Sequence, residues 1–343
     1  MNRCIYLKKC EPEVTFQEVE HIIPAGIGGI KTLDHGVVSD QANLKFSALE
    51  LDFMRNSIIS LPRQFYGPGK RGSLSPGKAS KSNIHIMYTE GNASLGYIKM
   101  GKPHQIPQIV IEPNNEIKMV FDAENGDYQK QLADFIDNLK GFNGKYVPVR
   151  RKELRIEQTI IGYFDKKWFV ASRNDIDDEK MDKIIKIANS SFEIKSPPQV
   201  CSSQVQSSEV MAFNIESFNR VYAKIAFNYL ASIEGADFVL RDIFDPIRDW
   251  IVNGGENTFA NLIGSQDNGF LQQIPFPPDS HKILIMKVGT SLVGFVGLYG
   301  HIWETVNLCN TFDENYNLNG LVCDWRNNQE YSLIDFVANI NHL

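Results

Sequence analysis

No uninterrupted apolar run in the 343-residue chain reaches the roughly eighteen residues that a membrane-spanning helix needs. Its start, Met1-Asn2-Arg3-Cys4-Ile5-Tyr6, lacks the long apolar stretch of a signal peptide. Cysteine is scarce. Cys4, Cys10, Cys201, Cys309 and Cys323 form an odd, scattered set, which excludes a disulfide framework and fits a reducing, cytoplasmic setting. No internal repeat occurs. A net positive charge is also missing: the formal charge is −6, so no uniformly basic coat exists to hold nucleic acid. The basic residues are local instead. Residues 61–82 carry Arg63, Lys70, Arg71, Lys78 and Lys81 without one acidic residue, whereas beyond residue 150 acidic residues outnumber basic ones.

What is present is ordinary for a folded protein: 43% apolar and 22% charged residues, with length enough for two domains. Residues 1–62 read as strand, loop, strand, helix. The β-branched run Val14–Ile23 stops at Pro24, Gly26, Gly28 and Gly29 mark a wide loop, and Gly36-Val37-Val38 suggests a short second strand. Ser39 or Asp40 can cap a helix over 40–58, with Leu44, Leu49, Phe53 and Ile58 on its apolar face. Residues 63–82, rich in Gly, Pro, Ser and Lys, read as a flexible basic loop. Region 83–200 holds two hairpin signals, at Gly91-Asn92 and Pro113-Asn114-Asn115, then helices near 125–141 and 177–191 around a strand at 168–171. A linker is expected over 194–213. Region 214–343 opens with the clearest helix, 215–233, followed by a helix over 239–252 and strands at 283–288 and 291–299.

The segment that carries chemistry is Glu20-His21-Ile22-Ile23-Pro24-Ala25-Gly26-Ile27-Gly28-Gly29, followed by Ser39-Asp40-Gln41-Ala42-Asn43. Phosphodiester hydrolysis needs an activated water and positive charge near the leaving oxygen. A neutral histidine can take the proton of water near neutral pH. A hard divalent ion with oxygen ligands can stabilise the developing charge. Adjacent Glu20 and His21 can hold different roles if the chain bends after them, as Pro24 and the glycines permit. Asn43, in the first turn of the following helix, is placed to meet them.

This pattern resembles the HNH endonuclease family, in the subgroup written roughly E-H-I-I-P…G-G…C-x-x-C-N, over about residues 1–60. The resemblance implies an α+β chain: an N-terminal ββα-metal unit followed by a larger mixed α+β region. It implies His21 as general base, Glu20 and Asn43 as ligands of one Mg2+ or Mn2+ ion, and DNA as substrate, with RNA not excluded. The family's middle asparagine falls in Leu33-Asp34-His35-Gly36, where Asp34 or His35 would have to substitute. Many relatives hold a structural zinc on two C-x-x-C pairs. Here those positions are Cys4, Leu7, Ser39 and Ala42, and one thiolate cannot hold a tetrahedral zinc, so none is expected.

The basic residues Arg63, Lys70, Arg71, Lys78 and Lys81 would contact phosphates. Gly72–Ala79 imitates a phosphate-binding loop but ends on Ala79 where a hydroxyl is required. Glu50 reads as a solvated helix residue. Two functional classes follow. One is a metal-dependent endonuclease whose acidic C-terminal region could serve regulation, sensing or oligomerisation; the resemblance implies a role in defence against foreign DNA. The other is a degenerate scaffold of the same fold that binds nucleic acid or senses a ligand. Self-association stays open, and no membrane partner is expected.

Overall fold

The computed structural model describes residues 2–89, 92–122, 126–150, 154–188, 190, 206–207, 213–263 and 274–339. The chain is mixed α+β and divides into two compact units. One combines residues 1–80 with 211–343; the other is the intervening stretch 81–210. The first sixty residues are therefore not a separate domain, as the sequence suggested. They share one core with the C-terminal region.

The first unit is built on a six-stranded antiparallel sheet. Its strand order is Ala260–Ile263, Ile302–Cys309, Ser291–Leu298, His281–Val288, Asn319–Asp324 and Gln329–Ser332. The long helix Ile215–Glu234 lies on one face, so close that a Cβ on Gly294 would fall 2.9 Å from Ala226. Asn214 caps that helix by accepting from the N–H groups of Glu216 and Ser217. Thirteen of its twenty residues are buried, because the helix Asp40–Asn56 covers its other side. The expected helix over 239–252 is broken. Ala236–Val239 and Asp245–Asn253 are separate, and Pro246 sits in the first turn of the second, where its missing N–H costs nothing.

The N-terminal segment departs most from expectation: a ββα unit is not formed. The run Val14–Ile23 contributes only the isolated bridge His21↔Thr32, flanked by Ile22 N–H to Lys31 O and Leu33 N–H to Glu20 O. Residues 36–38 form a turn. The physical reason is that side chains take the backbone groups a ladder would use. The Asp40 carboxylate accepts from the N–H of Gln17 and Glu18. Glu330 accepts from Ile30 and Lys31 at 3.0 Å each. Asn228 donates to His21 O, His281 bonds Ile27 O, and Arg248 donates to Ile5 O. The helix Asp40–Asn56 does form, capped by Ser39, but its buried stripe is Ala42, Phe46 and Phe53, while Leu44 is exposed.

The second unit has two sheets. One orders Lys102–Gln105, Asn92–Lys99, His85–Thr89 and Gln206–Ser207. The other orders Ile117–Val120, Gln108–Ile111, Thr159–Phe164, Lys167–Ser172 and Val147–Arg150, the last pair parallel. Helices Tyr128–Leu139 and Asp178–Ala188 complete it. Both hairpins expected from the turn signals are formed. The linker expected over 194–213 lies outside the described residues except at 206–207 and Phe213.

Candidate functional site

The chain around Glu20-His21 is fixed by its own glycines and by distant side chains. A Cβ on Gly29 would fall 1.8 Å from Ile23 O, so only glycine lets the loop close on itself there. Gly28 has φ +99°, and a Cβ would strike Trp325. The imidazole of His281 bonds Ile27 O at 2.7 Å through Nε2 and accepts the Tyr299 N–H at Nδ1. Both contacts are satisfied by the neutral ring with its proton on Nε2. Burial pulls its pKa down to about 4.

Behind Glu20 lies a charged cluster that no local pattern announces. Lys224, fully buried on the long helix, contacts the carboxylates of both Glu20 and Glu50. Its ammonium also lies 5.3 Å from the Phe46 ring centre. Burial acts to lower the Lys224 pKa, but Glu50 and Glu20 outweigh it, and the net direction is upward. Burial, with Glu50 close by, pushes the Glu20 carboxyl up against the opposing pull of Lys224. Two carboxyl groups share one ammonium. One turn further, Asn228 accepts from the Tyr6 hydroxyl at 2.6 Å and donates to His21 O at 3.0 Å. Lys224 and Asn228, four residues apart, thus fix Glu20 and His21 from one helix face.

The expected site residues fall unevenly. Glu20 and His21 lie together at the bridge. Asn43 and Glu50 are seven residues apart on Asp40–Asn56 and share a face, two turns from each other. The Asn43 side-chain oxygen is buried and has no hydrogen-bond partner in the protein. His35 is exposed in the turn before the helix, beside Asp40, whose pKa is lowered chiefly by the Thr15 hydroxyl and further by the Glu18 and Gln17 N–H groups. Glu50, expected in solvent, instead faces Lys224. Sequence reasoning missed Lys224, Asn228 and Tyr6. The available signal was a lysine and an asparagine inside the broad apolar stripe of the long helix.

The four zinc-cysteine positions do share one place. The Cys4 sulfur accepts from the N–H of Leu7 and Ser39 at 3.4 Å and from the Ser39 hydroxyl at 3.2 Å. Cys4, Ser39 and Ala42 are fully buried, and Leu7 packs on the same core. A hydroxyl and two hydrocarbon side chains stand where a zinc site needs three more ligands.

The basic residues also divide. Arg63 is buried, donating to Gly26 O at 3.0 Å and Met54 O at 2.9 Å, and burial lowers its pKa. It ties the glycine loop to the helix and presents nothing to phosphate. Lys81 belongs to the second unit, where its ammonium caps the rings of Tyr97 and Phe164. Lys70, Arg71 and Lys78 are exposed. Their segment is not an open loop: it makes short turns at Lys70–Gly72 and Pro76–Lys78, and Gly72 packs against Ala25 O.

Among the described residues no three His, Cys, Asp or Glu side chains converge to hold a metal by themselves. A hard cation held by the expected ligands would take the Asn43 oxygen and one Glu20 oxygen, with water and substrate oxygens completing its shell; Asn43 lies two helical turns from Glu50, and no hydrogen bond joins its oxygen to Glu20. That donor chemistry suits Mg2+ or Mn2+, and the unpartnered Asn43 oxygen fits it. Also among the described residues, no helix is long and apolar enough to cross a membrane. The chain matches no protein-family model, no curated protein and no solved structure.

Proposed function

We propose that this site hydrolyses nucleic-acid phosphodiester bonds, as a divalent-metal-dependent endonuclease acting on DNA. The observation that carries the reading is the buried, unpartnered oxygen of Asn43 on the helix whose Glu50 shares Lys224 with Glu20. An unsatisfied buried acceptor costs on the order of 1–3 kcal/mol, a cost that a bound cation removes. A metal held by Glu20 and Asn43 would supply Lewis acidity at the scissile phosphate. His21, half-buried at the chain corner, takes the proton of the attacking water. Asn228 holds the His21 backbone, so the ring has a fixed origin. Lys224 holds Glu20 by its carboxylate and is a positioning residue, since it is fully buried. Lys70, Arg71 and Lys78 concentrate phosphate at the adjoining loop.

A second reading rests on one contact. The Lys224 ammonium already sits between Glu20 and Glu50 where a cation would otherwise bridge carboxylates, which suits a scaffold of the same fold that has no need of a metal and does not cut. A plasmid-nicking assay in Mg2+ or Mn2+ separates the two. The nuclease reading expects nicking by the native chain and a loss of about 100-fold or more in His21→Ala, the range of a general base. Equal nicking by both proteins, or none by the native chain, overturns it.

A further inference from the structure

The turn that follows the helix Ser60–Phe65 displays an unusual surface. Phe65 is 41% exposed, Tyr66 51% and Leu74 47%, and residues 60–79 hold no acidic side chain. Single exposed apolar residues are ordinary on a protein surface. Here aromatic rings and cations are interleaved and held by the fold. The Arg326 guanidinium lies 5.3 Å from the Tyr66 ring centre and 4.7 Å from that of Trp325. Asp279 pins Arg326 by an ion pair, and its backbone carbonyl accepts the Trp325 indole N–H at 2.8 Å. The result is a short stack of Trp325, Arg326 and Tyr66, with the Phe65 ring 6.2 Å from Tyr66. The same turn carries Lys70 and Arg71, and its Gly72 packs on Ala25 in the loop that leaves Glu20-His21.

We propose that this surface binds single-stranded nucleic acid, with bases stacking on Tyr66 and Phe65 and phosphates drawn to Lys70, Arg71 and Lys78, while Arg326 backs the Tyr66 ring. Cations alone would serve a duplex, which offers its phosphates but keeps its base faces stacked. Exposed rings beside the cations gain contact only when bases are free. The proposal rests on the nuclease reading for its biological sense and names the strand form of that substrate. It is tested by binding, without cleavage.

The probe is a fluorescein-labelled mixed-sequence strand of about 20 nucleotides, alone or annealed to its complement, titrated with full-length His21→Ala protein and read by anisotropy. Single strands bind at least ~10-fold tighter than duplex, and Tyr66→Ala weakens single-strand binding ~10-fold, the scale of one lost stacking contact. Tyr66→Phe retains it. Lys70→Ala with Arg71→Ala weakens both forms and flattens the salt dependence. Equal affinity for strand and duplex, with no effect of Tyr66→Ala or Phe65→Ala, overturns the proposal. So does a concentration-dependent dimer, seen by light scattering, that Tyr66→Ala abolishes, since the surface is then a self-interface. A protein that prefers strands but never nicks removes the nuclease reading and leaves this surface standing. One that nicks but binds strand and duplex alike does the reverse.

Discussion

The N-terminal segment and the six-stranded sheet share a core but satisfy their backbones in opposite ways. In the sheet, each strand pairs with its neighbours through an antiparallel ladder, with one register shift between Leu292 and Val293. In residues 5–31, backbone groups are met one at a time by Asp40, Arg248, Asn228, His281 and Glu330. A ladder spreads its stability over many equivalent bonds. A stapled segment concentrates it in a few polar side chains, of which Asn228, Arg248 and His281 are buried. The same side chains set the position of Glu20 and His21, so stability and site geometry are joined there.

The largest expected effect comes from removing the charge behind the site. Lys224→Met leaves Glu20 and Glu50 facing each other in a mostly buried place, and breaking such a pair costs about 3–5 kcal/mol. Chemical denaturation at neutral pH measures it. Adding Glu20→Gln and Glu50→Gln to Lys224→Met should return most of the loss, because the stranded charges are then gone. If Lys224→Met alone costs less than about 1 kcal/mol, the cluster is not the staple described.

The next effect gives the two regions opposite responses to pH. His281 belongs to the staple. Burial lowers its pKa from the ordinary 6.5 to about 4, so the unfolded chain binds the proton more readily. Its contribution is complete above pH 6.5 and is lost as pH falls toward 4. Glu304 belongs to the sheet, buried beneath the long helix. Asn219, with its amide turned to suit its neighbours, donates to one Glu304 oxygen at 2.8 Å; the other has no partner. Burial raises its pKa from 4.5 to about 8, so the unfolded chain gives up the proton more readily. Stability from this group is complete below pH 4.5 and is lost as pH rises toward 8. Each slope amounts to about 1.4 kcal/mol per pH unit inside its window. Between 4.5 and 6.5 the two oppose. Glu304→Gln should abolish the alkaline loss and leave the acid one. A Glu304→Gln profile parallel to the native one from pH 5 to 8 would show that Glu304 is ionised throughout.

This contrast also explains what could be read from the sequence. The long helix, the hairpins of the second unit and the strands at His281–Val288 and Ser291–Leu298 were legible, because period and turn residues are local signals. The strands expected in Val14–Ile23 and Gly36–Val38 were not formed. Within Val14–Ile23 the Gln17 and Glu18 N–H groups go to Asp40 and the His21 carbonyl to Asn228. The flanking residues Ile5, Ile27, Ile30 and Lys31 are held by Arg248, His281 and Glu330. Except for Asp40, these partners lie two to three hundred positions away. Asn43 and Glu20 stood out through motif spacing. Lys224 and Glu50 did not, since a buried lysine and its carboxylate look like solvated residues until the partner helix is in place. Arg63 shows the converse: its charge suggested phosphate, and its burial assigns it to two carbonyls.

The smallest effect tests the staple where it is least buried. The Glu330 carboxylate accepts two N–H groups, from Ile30 and Lys31, just beyond the glycine loop. Glu330→Ala should cost about 1–2 kcal/mol, since charge-assisted bonds are lost but the freed N–H groups reach water. Thr305→Ala, which removes a 3.4 Å side-chain contact to Asn261 O on the sheet, should stay within about 0.5 kcal/mol because the ladder beneath it is intact. Hydrogen exchange sharpens the pair. In Glu330→Ala the amides of Ile30 and Lys31 should exchange faster together with Ile22 and Leu33, whose N–H groups bond across the same bridge. In Thr305→Ala the ladder amides should keep native rates. If Glu330→Ala speeds only Ile30 and Lys31, the staples act singly, and the corner holding Glu20 and His21 does not depend on them as a set.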